Sequence, residues 1–171
     1  MNNHTVQNTK KPQYLIMLVI VAGVLSLFLL LKLLSGMGGE KLNVRGKSVT
    51  DTDLVITLSE ITENALFFPA VINGTELEII ALKAPDGTVR IAYNTCQVCY
   101  LSGKGYYTQK GEHLVCENCG NRFSLSEVGV AHSGCNPIPL TANDMTVSNT
   151  EIIIPMETLS NATKLFSAWK R

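Results

Sequence analysis

The segment Phe68–Leu82, FPAVINGTELEIIAL, decides the fold class of this sequence. Its first five residues lead into Asn73-Gly74, the dipeptide most typical of a two-residue β-hairpin turn. Leu77–Leu82 can then form the returning strand. The segment therefore predicts an antiparallel hairpin near the middle of the chain.

Further short strands are expected on both sides of this hairpin. A turn at Pro85-Asp86-Gly87 precedes a predicted strand over Val89–Tyr93. The other candidate strands are Leu54–Leu58, His113–Val115, Arg122–Leu125 and Glu151–Ile154. Several short strands at such spacing predict an all-β domain, built as an antiparallel sandwich or small barrel. A short helix is expected at the C-terminus, where apolar residues recur at roughly helical spacing over Met156–Trp169.

A long apolar segment precedes this predicted domain. Tyr14–Leu34 has 21 residues, enough for a helix to cross a hydrocarbon core of about 30 Å. Lys10 and Lys11 precede it, so the positive-inside rule keeps the N-terminus in the cytoplasm and places the domain outside the cell membrane. No A-x-A cleavage site follows, which favours a single-pass signal anchor; a cleaved signal peptide is the alternative.

These observations divide the 171 residues into four parts. We expect a cytoplasmic stub over residues 1–13, a transmembrane signal anchor over 14–34, a linker over 35–52 and an extracytoplasmic domain over 53–171. The linker begins with the glycine-rich Ser35–Gly39. After Gly39 the chain carries 11 basic and 14 acidic residues. The lack of a basic stripe argues against nucleic acid as a partner.

All five cysteines lie in one stretch, from Cys96 to Cys135. Cys96-x-x-Cys99 and Cys116-x-x-Cys119 are separated by 16 residues. Two such turns on adjacent hairpin tips bring four thiolate sulfurs to one place, which suits zinc or iron–sulfur chemistry. The sequence therefore predicts a cofactor or metal site on these four cysteines, with Cys135 as a fifth candidate metal ligand.

Two alternatives remain for the cysteines, because an extracytoplasmic domain faces an oxidising compartment. The pairs could form disulfides, or one pair could carry thiol–disulfide chemistry. His132, three residues before Cys135, is a further candidate ligand. The sequence offers no acid–base pair or Ser/His/Asp arrangement, so we expect an electron-transfer or metal-binding protein rather than an enzyme.

The flanks of the cysteines resemble known patterns. The string Cys116-Glu-Asn-Cys119-Gly-Asn-Arg-Phe123 is similar to the C-x-x-H-G-x-x-F loop of Rieske domains, and the preceding strands resemble those before the first Rieske ligand loop. A closer resemblance is to the FtrD-like family of membrane iron–sulfur proteins, which is associated with bacterial iron-uptake loci. That resemblance is carried by the two cysteine pairs, by Gly105-Tyr106 and by GCNPIPL at Gly134–Leu140.

The resemblance implies a Rieske-like β domain in which Cys99 and Cys119 replace the two ligand histidines. It implies an iron–sulfur cluster of the [2Fe–2S] type on cysteine ligands, with a single iron or a zinc ion as the alternatives. Four thiolates place more negative charge on a cluster than two thiolates and two imidazoles, so its reduction potential should lie below the Rieske range. Tyr106, Tyr107 and Phe123 are expected to form an apolar wall beside the site.

The function implied is electron transfer outside the cytoplasmic membrane, linked to iron uptake. Membrane redox or metal-transport proteins are the expected partners, together with the bilayer that holds the anchor. A zinc-stapled interaction module or metal carrier is one alternative function. A thiol–disulfide redox protein is the other.

Overall fold

The computed structural model describes residues 13–35, 41–42, 44–130 and 134–171. The chain divides into two compact units, Met1–Gly39 and Glu40–Arg171. The second unit begins before the domain boundary predicted at Asp53. Three short strands explain this, since they lie within the range predicted as linker and pair with strands of the domain.

The first unit contains helix α1, Gln13–Ser35. The anchor predicted over residues 14–34 falls within this helix, whereas most of the predicted stub lies outside the described residues. Within the part of the chain that the structure describes, no helix meets the length and apolar character needed to cross a membrane.

The second unit is mostly β, which confirms the all-β character of the predicted fold class. Its strands are β1 Lys41–Leu42, β2 Val44–Arg45, β3 Val49–Thr50, β4 Leu54–Thr57, β5 Leu66–Ile72, β6 Thr75–Lys83, β7 Val89–Cys96, β8 Tyr107–Lys110, β9 His113–Cys116, β10 Arg122–Ser124, β11 Pro137–Pro139, β12 Thr146–Val147 and β13 Glu151–Ile154. Helix α2, Met156–Ala162, continues as a 3-10 helix over Thr163–Phe166, where the sequence predicted a C-terminal helix. Shorter 3-10 helices cover Leu58–Glu60, Tyr100–Ser102 and Leu125–Glu127.

The central hairpin is formed by β5 and β6, which pair from Leu66↔Ala81 to Ile72↔Thr75. Its turn residues Asn73 and Gly74 have φ values of 52° and 74°. Both are positive, as a type I′ turn requires, and that turn matches the twist of the two strands. The prediction made from Asn-Gly is therefore confirmed.

The strands of the described residues form three sheets. One has the order β11-β7-β6-β5-β2, with β3 also paired to β5; the others are β1-β8-β9-β10 and β12-β13-β4. Side chains of β6 alternate between two buried faces, because successive residues of a strand point to opposite sides. Ile79 belongs to the core that includes Ile56, Ile152 and Trp169, while Ile80 belongs to a second core. That second core contains Tyr107, Leu114, Phe123, Cys96 and Cys116, so it places the cysteine loops beside the six-stranded sheet.

Candidate metal centre

The first cysteine loop starts where β7 ends, at Cys96. The backbone N–H of Cys96 donates to the Gly105 carbonyl over 2.6 Å, which closes the loop at its base. A Cβ atom at Gly105 would collide with the Cys99 carbonyl, so only glycine allows the two segments to come this close. The Cys99 N–H donates to the Cys96 sulfur over 3.3 Å. The loop thus directs a backbone donor at the sulfur of its first cysteine.

The second loop starts where β9 ends, at Cys116, which lies opposite Tyr107 of β8. Its turn is closed by the Gly120 N–H, which donates to the Cys116 carbonyl over 2.8 Å. The Cys116 N–H donates in turn to the Asn121 carbonyl over 3.0 Å. Gly120 has a φ of 73°, in the left-handed region that favours glycine. Cys119 lies on the exposed side of this turn.

The third segment brings Cys135 to the two loops. Strand β11 pairs with β7, and Pro137 lies opposite Cys96. The Gln97 N–H donates to the Asn136 carbonyl over 3.1 Å, and the Asn121 side-chain amide donates to the Cys135 carbonyl over 3.0 Å. These contacts fix the backbone of Cys135 from both sides.

The five cysteine sulfurs meet at this junction. Those of Cys96, Cys99, Cys116 and Cys135 all lie within 4.8 Å of one another. The Cys135 sulfur is 3.0 Å from that of Cys96 and 3.1 Å from that of Cys119. All five cysteines are within the described residues, and all five are free thiols. The structure therefore brings together every cysteine that the sequence selected, and its compact group of four contains Cys135 in the place expected for Cys119.

A protein family model described as "Membrane iron-sulfur containing protein FtrD-like" matches residues 48–166 of the chain. The chain belongs to this FtrD-like family. The family resemblance that the sequence suggested is thereby confirmed, and the family description associates the chain with a membrane. Neither a curated protein nor a solved structure gives a significant match.

The donor set of this FtrD-like chain fits the group that the family description names. Iron–sulfur clusters are held by cysteine thiolates, and thiolates also suit a single iron or zinc ion. Four sulfurs within 4.8 Å of one another supply such a set. Together with the family, this group indicates a metal-binding protein. His132 lies outside the described residues.

Burial and hydrogen bonds shift the pKa values of the five thiols of the FtrD-like site in different directions. Burial raises the pKa of Cys99 and Cys135, and it raises the pKa of Cys116 to about 12. Cys96 is buried as well, but its pKa is lowered because the Tyr107 hydroxyl, the Cys135 thiol and nearby backbone N–H groups bond to its sulfur. The hydrogen bond from Cys135 lowers the pKa of Cys119 to about 7. Cys135 thus lies between the two sulfurs that ionise most easily.

Two residues beside the FtrD-like site make polar contacts that the sequence did not predict: Asn94, and Tyr107, which was expected only as part of the apolar wall. The Tyr107 hydroxyl lies 3.7 Å from the Cys135 sulfur and bonds to Cys96. Asn94 accepts from the Tyr107 backbone N–H over 2.7 Å and holds β8 against β7. The expected apolar wall contains Tyr107 and Phe123, whereas Tyr106 packs against Trp169 in the other core. Neighbouring residues in extended backbone point to opposite sides, and this rule separates the two tyrosines.

Proposed function

We propose that this chain holds an iron–sulfur centre or a single iron ion on its cysteines and transfers electrons outside the cytoplasmic membrane. The observation that carries the proposal is the group of four cysteine sulfurs, all within 4.8 Å of one another, in a chain of the FtrD-like family. Thiolates in such a group stabilise ferric iron, which keeps the reduction potential low.

The residues around the sulfurs have distinct tasks in this proposal. An iron centre, when bound, supplies reversible one-electron chemistry. The chain contributes the thiolates, and Tyr107 and the Cys99 N–H donate hydrogen bonds to the Cys96 sulfur. Such bonds withdraw electron density from a ligand and raise the potential of its metal. Burial of Cys96 and Cys116 keeps water from two of the sulfurs.

The membrane topology belongs to the same proposal. We propose that residues 14–34 form a single-pass signal anchor, with the N-terminus in the cytoplasm and the β domain outside. The family description, which names a membrane, and the lysines before the apolar segment support this arrangement. Membrane redox or metal-transport proteins of an iron-uptake system are the proposed partners.

Metal analysis of the full-length protein tests the proposal. Protein purified without oxygen should contain iron, with inorganic sulfide if a cluster is bound. Its visible spectrum should bleach on reduction, and an EPR signal should appear in one of the two oxidation states. Colourless protein with stoichiometric zinc would exclude the electron-transfer function.

A zinc-stapled module or metal carrier is the second candidate. The spacing of the sulfurs favours a single ion, because four ligands at about 2.3 Å in a tetrahedron lie about 3.8 Å apart. Within the group of four, the sulfurs of Cys96 and Cys135 are 3.0 Å apart and no pair is more than 4.8 Å apart, a range that includes this value.

Counting free thiols distinguishes both metal-binding candidates from a thiol–disulfide protein. Metal removal by a chelator should release free thiols without any reductant, as expected for five unpaired cysteines.

A further inference from the structure

Five cysteine sulfurs surround a site that needs four. Structural zinc sites, single-iron sites and clusters with all-cysteine ligation each take four protein thiolates. One cysteine of the five is therefore surplus once the centre is complete. Cys96, Cys99 and Cys116 belong both to the four cysteines of the C-x-x-C pairs and to the compact group of four sulfurs. The fourth ligand is therefore either Cys119 or Cys135.

The contacts of Cys135 place it inside the site. Its sulfur belongs to the group of four in which every pair lies within 4.8 Å. Its carbonyl accepts from the Asn121 side chain, and the next residue, Asn136, is held by the Gln97 N–H. The pairing of Pro137 with Cys96 continues this attachment into the sheet. A residue fixed in this way reaches the metal without a change of the backbone.

The contacts of Cys119 place it at the mouth of the site. Cys119 is exposed, whereas Cys96 and Cys116 are buried and Cys99 and Cys135 are half-buried. A Cβ atom at the neighbouring Gly120 would meet nothing within 4 Å, so this side of the turn is open. The Cys119 sulfur nevertheless lies 3.1 Å from that of Cys135. Cys119 is therefore the cysteine most open to solvent, and its sulfur contacts a member of the compact group of four.

We propose that Cys96, Cys99, Cys116 and Cys135 are the resting ligands, and that Cys119 is an exchange ligand through which the metal enters and leaves. This inference rests on the proposed metal-binding function. Cys119 would hold an arriving ion first, as a thiolate. Cys135 would then replace Cys119 as the fourth ligand and would pass its thiol proton to the Cys119 sulfur. Release would reverse this exchange, with no change of oxidation state.

Cobalt(II) is the probe for the test, because its visible absorption reports how many thiolates surround it. The full-length protein is compared anaerobically with two matched variants, Cys119→Ser and Cys135→Ser, which remove the two partners of one contact. Cys119→Ser should keep the four-thiolate spectrum and the affinity of the wild type, while transfer of cobalt to a chelator slows about tenfold. Cys135→Ser should lose one thiolate from the spectrum and bind about tenfold or more weakly.

A second measurement covers the case in which Cys135→Ser fails to fold. In the cobalt-loaded wild type, iodoacetamide should modify Cys119 first and leave the other four cysteines protected, as peptide mass spectrometry would show. Protection of Cys119, loss of a thiolate in Cys119→Ser, or an unchanged transfer rate in that variant would each overturn the inference. If the wild type binds cobalt but shows one of these results, the exchange-ligand inference is wrong and the proposed metal-binding function still holds. If the wild type binds neither cobalt nor iron, both the inference and the proposed function are wrong.

Discussion

The side-chain oxygen of Asn94 accepts a hydrogen bond of 2.7 Å from the backbone N–H of Tyr107, which joins β7 to β8 beside the cysteines. The amide of Asn94 donates to the Tyr107 carbonyl over 3.2 Å and to the buried Glu78 carboxylate over 2.7 Å. The backbone carbonyl of Asn94 accepts a hydrogen bond from the Trp169 indole N–H over 2.8 Å. Asn94 is only 1 % exposed, so water cannot replace these partners. One side chain therefore links two strands and an acidic residue next to the site.

Replacing Asn94 by alanine should destabilise the protein by about 3 kcal/mol. The change leaves the buried Tyr107 backbone N–H without its acceptor and removes the amide donor of the buried Glu78 carboxylate. Denaturation by urea, followed by circular dichroism, measures the loss. Asn143→Ala is the control, since Asn143 is exposed, and its free energy of unfolding should stay within about 0.5 kcal/mol of the wild type. Equal stabilities of the two variants would contradict the structural role of Asn94.

Tyr107→Phe should lower the reduction potential of an iron centre at this site. The variant keeps the ring but loses the hydroxyl that bonds to Cys96 and approaches Cys135. A thiolate with one donor fewer gives more charge to the metal and favours the oxidised state. Loss of the hydrogen bond should also cost about 1 kcal/mol of stability. Potentiometric titration of the iron protein measures the shift, and Tyr106→Phe, on the other core, should leave the potential unchanged.

Cys116→Ser should lower the melting temperature and make it insensitive to chelators. Cys116 is buried and belongs to the compact group of sulfurs. Because metal binding contributes directly to folding free energy, loss of a ligand removes part of that contribution. Differential scanning calorimetry with and without chelator should show a large shift for the wild type and little for the variant. Melting of the variant at the wild-type temperature would mean that no metal is held there.

In the reduced, metal-free protein, Cys119 should react with iodoacetamide at lower pH than the other cysteines. Its pKa is lowered to about 7 by the hydrogen bond from Cys135, and only the thiolate attacks the reagent. The rate should therefore fall as pH drops below 7 and level off above about 8. Cys135→Ala, which removes the donor to the Cys119 sulfur, should move the midpoint towards the ordinary cysteine value of about 8.5. A wild-type midpoint already at that value would contradict the contact.

The parts of the fold that could be predicted from the sequence have strong local signals. Asn73-Gly74 specifies a turn whose two residues both need positive φ, and the structure has them. Strand β11 was missed because prolines occupy two of its three residues, Pro137 and Pro139. Proline is tolerated there because β11 lies at the edge of its sheet. Strands β1 to β3 are two residues each and are too short to show a period.

The candidate site, like the fold, has parts that local sequence patterns predict and parts that depend on long-range strand pairing. The C-x-x-C spacing selects four cysteines because neighbouring residues in a turn must approach each other. The position of Cys135 depends on the pairing of β11 with β7, a contact 39 residues away in sequence from Cys96, and spacing carries no signal for it. The same holds for Asn94 and Tyr107, which are 13 residues apart in the chain and meet only after the strands have paired.

The cysteines come from two different sheets, since Cys96 ends a strand of the six-stranded sheet and Cys116 ends one of the four-stranded sheet. A metal ion between them would be a further cross-link, beside the Asn94–Tyr107 contact, and would make the two sheets open as one cooperative unit. In the metal-free protein we expect the four-stranded sheet to open locally at a lower free energy than the whole domain. Proteases cleave proteins through such opened states. On the proposed function, metal supply would thus also set the lifetime of the protein, with empty copies degraded before loaded ones.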